Sequence, residues 1–114
     1  MVDRSKFSKS ERKALRDLAG EAWEAELHIA LTDLFENFSV WADKGMDSFE
    51  LSDRIHKFHN GVARELYGRY TALDAEITVS RAIALGILEE DALEGGLREK
   101  LAPHIESFRE IPDE

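Results

Sequence analysis

Between Ser10 and Asp43 the chain carries one continuous helical periodicity with two different apolar stripes on it. Leu15, Leu18, Ala22, Ala25 and Ile29 follow a 3-4-3-4 spacing, and Leu27, Leu31, Leu34, Phe38 and Trp41 a 4-3-4-3 spacing. At about 100° per residue the stripes are turned from each other by roughly 145°, so the two halves of this helix bury different faces and need different partners. About 34 helical residues span about 50 Å, whereas a globule of 114 residues is only about 35 Å across. The helix is therefore too long for its own body, and the apolar half that overhangs must be covered. A second copy of the chain does this most simply, because a two-fold axis lets one patch satisfy itself. Leu15, Leu18, Ala22, Ala25 and Ile29 are the expected dimer interface. A break near Gly20 would instead give a compact monomer of five short helices.

The remaining elements also read as helices. Ser8 stands three residues before Glu11, the spacing of a capping box, and Lys44-Gly45 marks a stop. Asp47, with Glu50 three later, starts a second helix that runs to about Tyr70. Residues 71–86 form a third, ending at Gly86; the β-branched run Glu76–Ile83 is the one place where a strand competes. After the break at Gly95-Gly96 comes a fourth helix, kinked or restarted at Pro103. The expected fold is all-α, a bundle of four and at most five helices with a long first helix, dimeric. It forms a single domain over residues 1–114, with residues 1–9 a frayed basic N-terminus.

Charge narrows the partners. The net charge is −9, yet residues 1–16 carry six basic groups against two acidic ones, which leaves −13 on the rest. So acidic a body repels phosphates, which argues against nucleic acid. No apolar run approaches the roughly 18 residues of a membrane span, and the first 18 residues lack the apolar centre of a secretion signal, so the expected compartment is the cytoplasm, with no membrane partner. With no cysteine, neither disulfides nor a thiolate zinc site is available.

On the second helix Leu51, Ile55, Phe58, Val62 and Leu66 make the apolar stripe. His56, His59, Ala63, Tyr67 and Tyr70 share a flank beside it, whereas Asp53, Lys57, Asn60, Arg64 and Gly68 face away. His56, His59 and Glu65 lie on opposite sides of the stripe and cannot close on one ion from a single helix. The flank of His56, His59, Tyr67 and Tyr70 reads as packed, hydrogen-bonded side chains and is the candidate ligand surface. Arg69 falls on the stripe itself, four residues after Glu65, at ion-pair spacing.

Two acidic pairs bear on chemistry. Glu21-x-x-Glu24 and Glu50-x-x-Asp53 resemble the paired motifs of the MazG-type all-α nucleotide pyrophosphohydrolases. The resemblance implies four carboxylates on two antiparallel helices holding magnesium, which would bind a nucleoside triphosphate and activate water. Ala25 stands where that family has leucine, and a run of phosphate-binding basic residues is not evident. Asp17, Glu21, Glu24 and His28 also make one polar stripe, as a solvated helix surface does. Arg98-x5-His104 resembles the arginine and histidine of HEPN-type helical ribonucleases, with Pro103 inside the motif. No nucleophile set, P-loop or dinucleotide fingerprint is present. The residues therefore read as a small non-catalytic interaction or accessory module, without catalytic residues or cofactor, whose partner is a second copy or another protein. The alternative is a magnesium-dependent hydrolase built on Glu21, Glu24, Glu50 and Asp53.

Overall fold

The structure, a computed structural model, describes residues 6–110. They are mostly helical, joined by short turns and loops, with no strand among the described residues. Helix α1 runs Lys9–Ala42 and α2 Ser48–Phe58; a π-helical turn, His59–Ala63, carries α2 directly into α3, Arg64–Ala72. Helix α4 spans Ala75–Ala84, a short 3-10 turn Glu90–Ala92, and α5 Gly96–Glu110. No helix among the described residues is long and apolar enough to cross a membrane. The long first helix is continuous through Gly20.

The chain divides into two compact units. The first holds the residues up to Ala22 together with those from Leu73 onward; the second is Trp23–Ala72.

The first unit has an enclosed core. Phe7, Leu15, Leu18, Val79, Ile83, Leu93, Leu97, Leu101 and Ile105 form one buried cluster, each side chain contributing about 1.5–3 kcal/mol on leaving water. Helix α4 lies deepest, with Thr78, Val79, Ser80, Ala82 and Ile83 all buried, which explains a composition that suits a strand as well as a helix. The hydroxyls of Thr78 and Ser80 donate back to the carbonyls of Ala75 and Glu76 at 3.2 and 2.6 Å, so neither is left unsatisfied. Gly86, with φ 78°, ends α4: its N–H reaches the Ile83 carbonyl and that of Ile87 the Ala82 carbonyl, a Schellman stop that needs a left-handed residue.

Three expectations change here. The N-terminal segment is not frayed from Phe7 onward, because Phe7 is buried and Ser8 caps α1. The Ser8 amide donates to Glu11 Oε1 at 2.8 Å and the Glu11 amide to Ser8 Oγ at 3.1 Å, a complete capping box. Residues 1–5 lie outside the described residues. Leu15, Leu18 and Ala22, expected to meet a second copy, are buried by their own chain at 8% exposure or less. Of the two expectations at Pro103 the restart falls, because α5 is one continuous helix through the exposed proline.

Candidate functional site

The second unit is a helical hairpin, closed at its tip by two caps that the sequence specifies. Lys44 takes φ 64° and donates to the Trp41 carbonyl, while Gly45 donates to that of Val40 at 2.9 Å. Lys44 thus occupies the left-handed position of a Schellman motif, and Gly45 follows because a Cβ there would sit 2.9 Å from Val40 Cγ1. Trp41 Nε1 donates to Ser48 Oγ at 2.9 Å, and Asp47 caps α2 by accepting the Glu50 amide at 2.8 Å.

At its open end the hairpin is stitched by aromatic and ionic contacts. Trp23 of α1 stacks on Tyr70 of α3, ring centroids 5.7 Å apart and planes 7° apart, and meets the edge of Tyr67 at 6.0 Å. Glu26 accepts from the Tyr70 hydroxyl at 2.5 Å and pairs with Arg69 at 3.5 Å; Arg69 also holds Glu65 at 3.1 Å. Arg69 and Glu26 are only 19% and 15% exposed, so each needs the other. Trp23 and Glu26 are the residues that sequence reasoning passed over. The signal was Arg69, because a guanidinium on an apolar stripe needs a carboxylate from the helix packed against it.

The histidine–tyrosine flank comes apart. Tyr70 and Tyr67 turn to Trp23, whereas His56 and His59 stay exposed. The π-helical turn separates them: its wider winding absorbs about one extra residue, so everything after Ala63 is rotated by about 100° from the regular wheel. With that correction Tyr70 lies in line with the buried Leu51. Gly61 and Gly68 have nothing within 4 Å of a Cβ position.

The hairpin has two unlike sides. On one, Asp33 and Asn37 of α1 and Glu50, Asp53, Arg54 and Lys57 of α2 line an open groove of about 810 Å³ over Ala30, Leu34, Phe58 and Val62. Arg54 bridges it, donating to Asn37 Oδ1 at 2.6 Å and pairing with Glu50 at 3.0 Å, and Lys57 pairs with Asp53 at 2.9 Å. On the opposite arc of α1 stand Leu27, Leu31, Phe35 and Phe38, and beside them Ile55 and His59 of α2. This side is apolar and bare: Leu31 is 47% exposed, Phe35 67%, Phe38 38% and Ile55 39%. Ile29, from the expected interface, is exposed on another arc of α1, and Ala25 is half-buried.

The four motif carboxylates do not converge. Glu50 and Asp53 reach the groove, each held by a base one turn on, but the α1 residues facing them are Asp33 and Asn37 rather than Glu21 and Glu24. Among the described residues no group of three or more His, Asp or Glu is placed to hold a metal ion. In the first unit Arg98 donates to the Glu90 carbonyl at 3.2 Å while His104 faces the Glu76 carboxylate at 3.7 Å, so these two engage separate partners. Comparison with protein-family models, curated proteins and solved structures finds no match to this chain.

Proposed function

We propose that the chain is a non-catalytic cytoplasmic interaction module whose hairpin, residues 23–72, docks through its apolar side on another helical surface. One observation carries the reading. Leu31, Phe35, Phe38 and Ile55 lie bare on one side of a unit in which only Leu51 and Leu66 are fully buried. Apolar area left in water costs roughly 25 cal/mol per Å², and a contiguous bare patch of this kind is the usual mark of an association surface.

The magnesium-hydrolase reading needs a carboxylate quartet at one place, and the groove offers α1 residues from a different turn together with two bases that compete for the same carboxylates. The interaction reading is tested in the cell of origin with a photo-crosslinking amino acid at position 35, and with the same group at Glu36 on the opposite arc as control. Adducts at 35 and none at 36 are expected. Absence of any adduct at 35 would refute the reading.

A further inference from the structure

We infer that the occupant of this apolar side is a second copy of the same chain, two hairpins packing face to face about a two-fold axis into a four-helix arrangement. The inference rests on the reading of that side as an association surface and names its partner.

Charge is the first argument. Residues 23–72 hold nine acidic and five basic groups, so two copies repel unless they meet over a surface free of carboxylates. From Leu27 onward the apolar side is such a surface, with Glu24 bordering it one turn earlier. Between Leu27 and Ala42 the acidic residues are Asp33 and Glu36, and both project from the arc of α1 opposite Leu31, Phe35 and Phe38. On α2 the charges Glu50, Asp53, Arg54 and Lys57 all line the groove side. An uncharged face laid against its own image brings no like charges together. It also lacks the charge pattern by which a foreign partner is ordinarily steered and selected. Any basic partner would be drawn to the groove instead.

Extent is the second argument. From Leu27 to Ala42 the face is about 24 Å long at 1.5 Å per residue, and two helices side by side are about 20 Å wide. That is on the order of 500 Å² in projection, comparable with the roughly 800 Å² of accessible surface that each partner contributes to a stable interface. Two antiparallel helices with a short connection bury one side only; a second identical pair supplies the missing layer with no new element.

The test uses the full chain, purified, at high micromolar subunit concentration. Sedimentation equilibrium is expected to give the mass of two subunits. The Leu31→Glu, Phe38→Glu double variant should raise the dissociation constant on the order of a hundredfold or more, with helix content by circular dichroism unchanged. Phe35→Lys, at a more exposed position, serves as a second variant that does not disturb the hairpin's own packing. Because the chain has no cysteine, single cysteines at Leu31, Phe35 and Phe38 report directly. At least one is expected to oxidise to a covalent dimer, and a cysteine at Glu36 is not. A mass of one subunit, or a dimer that survives both kinds of variant, overturns the inference. A purified monomer that still forms adducts at position 35 in cells would remove the second copy as partner while leaving the association surface standing. Loss of both results would remove the two readings together.

Discussion

The two halves of α1 share one periodicity and meet opposite fates. Leu15 and Leu18 are 3% and 8% exposed, enclosed with α4 and α5 in a nine-residue core, whereas Leu31 and Phe35, about four to six turns further along the same helix, stay in water. Hydrophobicity does not distinguish these segments. The number of enclosing elements does, since a helix that meets one neighbour covers one side and a helix that meets two covers most of its circumference. A stripe in a sequence therefore states a demand for cover and leaves open whether its own chain supplies it.

Side-chain truncation is the sharpest way to break this comparison. Leu101, fully buried in the first unit, should lose about 3–5 kcal/mol on change to alanine, measured by urea unfolding. Leu51→Ala in the hairpin is expected to lose about 2 kcal/mol in dilute solution, at the lower end of the range for such truncations; equal losses would mean that the hairpin has a core as enclosed as its neighbour's. Next comes Glu26→Gln, which leaves Arg69 without its half-buried counter-charge and should lower stability by about 1.5–3 kcal/mol. Near-ultraviolet circular dichroism should register loosening of the Trp23–Tyr70 stack, and an unchanged spectrum with unchanged stability would show that the stitch is ornamental. Phe35→Ser should alter unfolding of the dilute chain by no more than about 0.5 kcal/mol, although it removes an aromatic ring.

The smallest effect is a pH slope in the first unit. Glu11 is held below its ordinary value of 4.5 by the Lys100 ammonium, 2.6 Å away, and by the Ser8 amide. A depressed carboxylate gives stability that is complete above the unfolded value and disappears as pH falls through the lower folded one. Stability measured by urea unfolding should therefore decline below pH 4.5, and Lys100→Met should flatten that part of the profile.

Much of the architecture was legible because local chemistry dictates it. The Ser8–Glu11 box, the Asp47 cap and the stops at Lys44-Gly45 and Gly86 are each set by a side chain or a backbone conformation within a few residues. The length of α1 was legible as well, and so was the conflict between its two stripes. What failed was assignment of each stripe to a partner. Leu15 and Leu18 are claimed by Leu97, Leu101 and Ile105, more than seventy residues away in sequence, and no periodicity encodes that contact. Glu21 and Glu24 share a spacing with Glu50 and Asp53 but not a turn of the hairpin, because register between antiparallel helices is set by the tip, where Trp41 meets Ser48. The histidine–tyrosine flank failed for a different reason: the wheel assumes an unvarying pitch, and the turn at His59–Ala63 departs from it.

That turn makes the second rod of the hairpin behave like a vernier. One residue fewer between His59 and Ala63 would let the turn relax to ordinary α-helix with Tyr70 still against Trp23, whereas one residue fewer elsewhere in the rod, with the turn kept, would swing Tyr70 about a quarter revolution past it. Kindred chains that differ by a single position there belong in alignment with a gap in mid-helix, and closing that gap in a neighbouring loop would pair residues that point in different directions.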